Sequence, residues 1–132
     1  MRFHIALAIL LLATTAHAQV VAKTDTTIKG QTYAKINATD FITALRSAKA
    51  GTNLEYRRMA IDGPVFAPTA RLDTVHASLS LIDVIFLGEV VLNNVVFTAD
   101  LRGEKIEFRR GLSALKARFN ANVALSQSIS RR

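Results

Sequence analysis

Pairs of apolar or small residues recur at a spacing that neither a helix nor an ordinary strand produces. In each pair the two residues enclose one other residue, and successive pairs begin alternately five and six positions apart. The pairs are Leu79/Leu81, Val84/Phe86, Val90/Leu92, Val95/Phe97, Leu101/Gly103, Ile106/Phe108, Leu112/Ala114, Ala117/Phe119 and Val123/Leu125. A helix repeats every 3.6 residues or so and a strand alternates every second residue. The pattern therefore requires a chain that turns after every short extended segment.

Four phenylalanines follow the same rhythm at every eleventh position, at Phe86, Phe97, Phe108 and Phe119. If each pair is a very short strand with both side chains pointing inward, four such strands make one coil of about 22 residues. Residues one coil apart then lie one above the other at the strand spacing of roughly 4.8 Å. The sequence thus predicts a mainly β fold, a β-solenoid in which Phe86 stacks on Phe108 and Phe97 stacks on Phe119.

Two alternatives remain open from the sequence alone. Because three turns of a helix take about 11 residues, residues 112–126 are compatible with a terminal helix that places Leu112, Leu115, Phe119 and Val123 on one face. An antiparallel meander with Asn93-Asn94 as a hairpin turn also explains the local alternation. The meander does not explain four equally spaced phenylalanines.

Residues 1–18 have the pattern of a secretory signal. A basic start with Arg2 precedes an uncharged apolar run over residues 5–13, and Ala16-His17-Ala18 supplies small residues at the positions that a signal peptidase reads. We expect cleavage before Gln19 and an exported protein, periplasmic or secreted. The chain contains no cysteine, so disulfides do not stabilise it.

The remainder divides into four regions. Residues 19–36 are polar and rich in Thr and Lys, which predicts a flexible lead-in. Residues 37–51 are predicted to form a helix that caps the solenoid, residues 52–125 the solenoid itself, and residues 126–132 a basic tail.

The predicted capping helix has residues that favour a helix start and a helix end. Asn37 or Thr39 can cap its N-terminus and Gly51 can take the left-handed position after its C-terminus. Phe41 and Leu45, with Ala48 one turn later, form an apolar stripe that must cover other apolar residues.

The rhythm, with the Ala99-Asp100-Leu101 triplet inside "FTADLRG", resembles that of pentapeptide-repeat proteins. The upstream segment "NATDFITALRSAKAGTNLEYRRMAIDG" also looks like the helix and first coil that often precede such repeats. This resemblance implies a right-handed, four-sided β-solenoid with a short N-terminal capping helix. Some members of that family are acidic DNA mimics that bind topoisomerases. A signal sequence and a basic chain argue against that role here.

Net charge is concentrated in the C-terminal quarter. Residues 19–100 contain eight Lys/Arg and eight Asp/Glu, whereas residues 101–132 contain eight Lys/Arg and two Asp/Glu. Such a patch attracts anionic polymers or envelope surfaces. The candidate anion-binding residues are Arg102, Lys105, Arg109, Arg110, Lys116 and Arg118.

Few residues suggest catalysis. His76 is the only histidine left after signal removal, with Asp73 and Ser78 beside it, so an enzyme hypothesis depends on this one residue. We predict no catalytic site, metal or cofactor. The expected function is an exported structural or protein-interaction scaffold, with binding of polyanions or envelope surfaces as the alternative. A solenoid end is an open edge, so a protein partner or self-association through that end is expected.

Overall fold

The computed structural model describes residues 17–18, 24–127 and 129–130, with side-chain surroundings for residues 24–127. The predicted signal sequence therefore lies outside the described residues except for its last two, and residues 19–23 of the predicted lead-in do too. Among the described residues, no helix is long and apolar enough to cross a membrane.

The described chain is mainly β, with two helices. The helices are Ala38–Ser47 (α1) and Ala67–Ala70 (α2). The strands are His17–Ala18 (β1), Thr24–Ile28 (β2), Gln31–Asn37 (β3), Asn53–Asp62 (β4), Val65–Phe66 (β5), Thr74–Val75 (β6), Ser78–Phe86 (β7), Val90–Val91 (β8), Val96–Phe97 (β9), Leu101–Glu104 (β10), Glu107–Phe108 (β11), Leu112–Ser113 (β12), Arg118–Phe119 (β13), Val123–Ser126 (β14) and Ile129–Ser130 (β15).

Short strands pair in parallel at a constant 22-residue offset. The strand β10 pairs with β7 on one side and β14 on the other, so that Leu101 lies between Leu79 and Val123. The same offset joins β8 to β12, β9 to β13, β7 to β11 and β11 to β15. The described strands form one large sheet and two three-stranded sheets, ordered β5-β8-β12 and β6-β9-β13.

The offset between paired strands is longer by three positions upstream of β6. The strand β4 pairs with β7 so that Leu54 faces Leu79, and β5 pairs with β8 so that Val65 faces Val90. The additional positions lie between β5 and β6, where α2 forms with Pro68 in its first turn and Arg71 in the left-handed region, at φ 59°, after its end. Proline suits this position because a first-turn residue has no intrahelical N–H bond to lose.

The long strands of the large sheet are interrupted at one register position. Arg58, Asp83, Lys105 and Gln127 all have left-handed backbone, with φ between 53° and 56°. Arg58 and Asp83 are also skipped in the pairing of β4 with β7. Because an extended strand has negative φ, each of these residues turns the chain at the same place.

The apolar pairs point into one core. Phe86 and Phe108 stack with ring centroids 5.1 Å apart, and Phe97 and Phe119 stack at the same separation. Both predicted stacks are thereby confirmed. Phe97 is buried and Val96 only half-buried, as expected for neighbours on opposite faces of a strand.

The helix α1 packs against this core. Its buried residues include Phe41, Ile42 and Leu45, and the Phe41 ring meets Tyr56 and Phe86 edge-on at 5.0 and 5.6 Å between centroids. A helix thus occupies residues 38–47 of the predicted 37–51. It ends before Gly51, which has φ 90° in the following turn, and the Asn37 side chain makes no capping hydrogen bond.

The predicted flexible lead-in contains an antiparallel β-hairpin instead. The strands β2 and β3 pair around a turn at Lys29 and Gly30, whose φ values of 51° and 79° suit a two-residue hairpin turn. Outside the main core, Tyr33 packs with Ala60 and Ile85. The polar composition concealed these strands because only a few of their residues are buried.

Neither sequence alternative is found in the described chain. Residues 112–126 contain β12, β13 and β14 rather than a helix. Asn93 and Asn94 turn the chain between β8 and β9, but those strands belong to different sheets and do not pair with each other. The predicted basic tail includes β15, which pairs with β11.

Candidate interaction surface

The six candidate anion-binding residues are distributed over strands of different sheets and the segments between them. Arg102 is in β10 of the large sheet, Arg118 is in β13 of a three-stranded sheet, and Arg110 lies between β11 and β12. They therefore do not lie together on one strand or one sheet.

Two of the six cations are neutralised by neighbouring carboxylates. Arg102 pairs with Glu104, and the Arg109 Nε lies 3.1 Å from the Glu107 carboxylate, which Lys29 also approaches at 4.0 Å. Each pair joins residues on one strand or its immediate flank, two positions apart and on the same face. Their attraction for an external anion is correspondingly reduced.

The other four cations have no ion-pair partner in the described chain. Lys105, Arg110, Lys116 and Arg118 are all exposed, and no acidic residue follows Glu107 in the sequence. Lys116 and Arg118 border a shallow depression together with Asn94. The unneutralised charge is thus centred on residues 105–118.

Exposed apolar side chains lie at the terminal strands β12, β13 and β14. Leu115 is 68% exposed, Leu125 58% and Phe119 43%, and Leu112 and Val123 are exposed as well. These five residues, here called the end face, lie in or next to β12, β13 and β14, the terminal strands on one side of the three sheets. The strand partners of Phe119 and Leu112, which are Phe97 and Val90, are buried.

An apolar cavity of about 120 Å³ lies within the core. Its lining includes Phe41 and Leu45 of α1 and Phe119 and Leu125 of the end face. All of its lining side chains are apolar, so the cavity offers no hydrogen bond to a polar ligand.

Backbone hydrogen bonds join β8 to β12. The N–H of Val90 donates to the carbonyl of Gly111 at 3.2 Å, and the N–H of Leu92 donates to that of Ser113 at 2.7 Å. By the register of β8 with β12, Leu112 and Ala114 are equivalent to Val90 and Leu92. Their N–H groups therefore point away from β8, to the outer side of β12. None of the described strands pairs with β12 on that side.

Two polar side chains also bond to the chain about 22 residues later, and the sequence pattern did not predict these bonds. The Asn93 Oδ1 accepts hydrogen bonds from the Ser113 hydroxyl and the Leu115 N–H, both at 2.9 Å. The Asp100 carboxylate accepts the Asn122 N–H at 3.2 Å. The sequence could have indicated these bonds through the 22-residue spacing that separates Asn93 from Leu115 and Asp100 from Asn122.

A polar cluster joins the strands β3, β4 and β7 of the large sheet. The Tyr33 hydroxyl donates to Asp83 Oδ1 at 2.9 Å, and Arg58 Nε lies 3.7 Å from the same carboxylate. Burial, followed by the hydrogen bond to Asp83, raises the pKa of Tyr33. The 22-residue offset makes Asp83 equivalent to Lys105 and suggests an ion pair between them, but among the described residues the Asp83 carboxylate pairs with Arg58 instead.

The surroundings of His76 do not suggest a catalytic site. His76 and Asp73 are exposed and share no hydrogen bond in the described chain. Within residues 24–127, no group of three or more His, Cys, Asp or Glu side chains is placed to hold a metal ion.

No protein-family model, curated protein or solved structure matches this chain.

Proposed function

We propose that this chain is an exported, non-enzymatic scaffold built as a right-handed, four-sided β-solenoid of the pentapeptide-repeat type. The observation that carries the proposal is the parallel pairing at a constant 22-residue offset through β7, β10 and β14, with aromatic rings stacked in the core. Such stacking places long rows of side chains on the outer surface, which repeat proteins use for binding.

The distribution of polar groups supports a scaffold rather than an enzyme. Among residues 24–127, Tyr33 and Tyr56 are the only buried residues with a titratable side chain, and no Asp, Glu, His, Lys or Arg is buried. A catalytic acid or base usually owes its altered pKa to burial or to a specific charged partner. The side chains available for function are therefore surface groups, which suit recognition better than catalysis.

Engineered disulfides test the proposed solenoid. Ser80 and Arg102 are paired neighbours on β7 and β10, and paired strands lie roughly 4.8 Å apart, within the Cα separation that a disulfide spans. The chain has no native cysteine. We expect Ser80→Cys/Arg102→Cys to oxidise to an intramolecular disulfide, detected as a loss of two protons by mass spectrometry.

A matched pair controls for random collisions. Ser113 lies on β12 in another sheet, so Ser80→Cys/Ser113→Cys should remain reduced under the same mild oxidation. Efficient oxidation of the control pair, or none in the paired variant, contradicts the proposed solenoid.

Export and the scaffold role need separate measurements. Signal cleavage predicts an exported chain that begins at Gln19, and an unprocessed chain confined to the cytosol contradicts export. For the scaffold role, photo-crosslinking residues at exposed Thr98 and Asn120 should capture a discrete protein partner. A stable partner adduct at high salt supports a scaffold, and its absence at both positions counts against one.

Binding of an anionic polymer or envelope surface is the second candidate function. The observation in its favour is the set of exposed cations without ion-pair partners in the described chain, including Arg110, Lys116 and Arg118. This function predicts retention on an anionic resin that weakens steeply with salt and is lost when those cations are neutralised. If retention on the resin is unchanged when those cations are neutralised, this function is rejected.

A further inference from the structure

The outer edge of β12 presents unpaired backbone groups, exposed apolar side chains and positive charges together. The N–H groups of Leu112 and Ala114 point beyond the last described coil, by analogy with the Val90 and Leu92 N–H groups that donate to that coil. The carbonyls of the same residues point the same way, because one residue of a strand directs both groups to one side. The edge is thus a template for one further strand.

Apolar contacts are available beside this edge. Leu112 and Leu115 are exposed members of the end face, and Leu115 is the more exposed of the two at 68%. An added strand brings a side chain into the coil interior at every second residue. Apolar side chains on a ligand would then cover the end face as Val90 and Phe97 are covered one coil earlier.

The charged residues that flank β12 along the sequence are both positive. Arg110 precedes β12 and Lys116 follows it, both exposed and without an ion-pair partner in the described chain. No Asp or Glu occurs after Glu107 to neutralise them. Charge complementarity therefore selects a ligand with carboxylates near both ends of the added strand.

Two other occupants fit the edge less well. A lipid bilayer matches the charge if its lipids are anionic, but hydrocarbon cannot satisfy the backbone groups of an open strand edge. A second copy of this chain supplies strands, but its own Arg110 and Lys116 approach the same cations. Like charges brought together at an interface oppose association.

We propose that the edge of β12 binds an acidic polypeptide segment in extended conformation by strand addition. The segment forms backbone hydrogen bonds with Leu112 and Ala114, covers the end face with apolar side chains, and places carboxylates against Arg110 and Lys116. This inference rests on the proposed scaffold function and specifies the chemistry of its partner.

A labelled peptide provides a direct test. The heptapeptide DEVSVED carries acidic residues at both ends and alternating valines between them, and its binding to the whole chain is measured by fluorescence anisotropy. We expect saturable binding, with the dissociation constant raised by about tenfold or more in Arg110→Gln/Lys116→Gln, because two charge contacts are lost. The same peptide with lysines in place of its acidic residues should not bind.

A charge-matched variant separates local recognition from net charge. Lys49 and Arg71 are exposed and without ion-pair partners in the described chain, but they lie next to the two helices rather than at β12. Lys49→Gln/Arg71→Gln should bind the peptide within about twofold of the original chain, since no contact is lost. Equal weakening in both double variants overturns the proposal, as does the absence of peptide binding. Unchanged circular dichroism and thermal midpoints confirm that each variant is folded.

Backbone methylation tests the strand geometry itself. N-methyl groups on every second residue block the hydrogen bonds of one peptide edge only. One of the two alternately methylated peptides should therefore lose affinity by about tenfold or more, while the other binds nearly as before. Equal binding by both methylated peptides indicates electrostatic adsorption and overturns strand addition.

The peptide-binding experiment and the crosslinking test of the scaffold role can fail independently of each other. Crosslinking at Thr98 and Asn120 reports on a lateral surface and does not require a free β12 edge. A partner captured there together with no peptide binding rejects only the strand addition. Sedimentation that finds a dimer dissociated by Leu115→Asp places a second copy on the end face and also overturns the acidic ligand.

Discussion

The Tyr56 hydroxyl is the one buried side-chain polar atom without a hydrogen-bond partner among residues 24–127. Its ring is fully buried and meets Phe41, so the apolar contacts of the ring compensate for the desolvated oxygen. Removing an unpaired hydroxyl while keeping the ring relieves a desolvation cost of about 1 kcal/mol. We expect Tyr56→Phe to raise the free energy of unfolding by that amount, measured by urea denaturation.

The matched control is the other tyrosine of the chain. Tyr33 donates its hydroxyl to Asp83 at 2.9 Å, so Tyr33→Phe should lower the free energy of unfolding by about 1 kcal/mol. A loss of stability in both variants would show that the Tyr56 hydroxyl has a partner, such as a bound water.

Burial of Tyr56 also predicts a loss of stability at alkaline pH. Desolvation raises its pKa well above the usual value of 10.0. Above about pH 10 the unfolded chain therefore releases a proton that the folded chain retains, so stability falls as pH rises, by up to about 1.4 kcal/mol per pH unit. Unfolding free energies at pH 8 and pH 11 should differ less in Tyr56→Phe. If the original chain and Tyr56→Phe lose equal stability between pH 8 and pH 11, Tyr56 is not the cause. Because the pKa of Tyr33 is also raised, the variant should keep a smaller pH dependence of stability.

At the scale of elements, the corner between β7 and β8 depends on close approach of the backbone. A Cβ added at Gly88 would overlap the Gly63 carbonyl and lie 2.8 Å from the Pro64 nitrogen. Backbone atoms held by neighbouring coils cannot move aside easily. Gly88→Ala should therefore lower the free energy of unfolding by about 1 to 3 kcal/mol, measured from urea midpoints.

Gly103 provides the comparison within a strand. A Cβ there would meet Ile106 Cδ1 at 2.5 Å and Leu125 Cδ2 at 2.8 Å, both ends of flexible side chains. Because Leu125 is exposed and can rotate away, Gly103→Ala should cost less than Gly88→Ala. The reverse order would mean that the corner is less constrained than its geometry indicates.

The elements predictable from sequence are those whose pattern repeats. The pairs from Leu79 to Leu125 indicated both the strand positions and the face that each side chain takes, because inward residues must be apolar in every coil. The hairpin of β2 and β3 lacks that repetition, and Tyr33 and Ile36 are buried on opposite faces. Its pairing depends on contacts with β4 that no local pattern encodes.

The candidate surface was only partly predictable for the same reason. The sequence located the cations of residues 102–118, but their neutralisation depends on which residues share a face, as Arg109 and Glu107 do. The exposure of Leu115 and Leu125 could not be read from their apolar character. It depends on position in the fold: Leu125 lies on β14, a terminal strand of its sheet, and Leu115 lies in the turn that follows β12.

At the scale of the whole molecule, the two sides of the stack differ in protection. The helix α1 packs against the core at one side, whereas β12 and β13 are terminal strands at the other. The Val90 N–H is bonded to Gly111, but its register equivalent at Leu112 has no described strand to bond. Amide exchange tracks the cost of opening such bonds, so the Leu112 N–H should exchange at least about a hundredfold faster than that of Val90.

Nuclear magnetic resonance at two protein concentrations distinguishes the causes of any departure from this prediction. Fast exchange at Leu112 in both samples identifies an open edge. Protection that increases with concentration identifies a second copy on the end face, because only association depends on concentration. Equal and strong protection of Leu112 and Val90 in dilute samples requires that part of the same chain covers β12, and contradicts the open edge. The acidic peptide should slow exchange at Leu112 and Ala114 while leaving Val90 unchanged, since its hydrogen bond already lies between two coils.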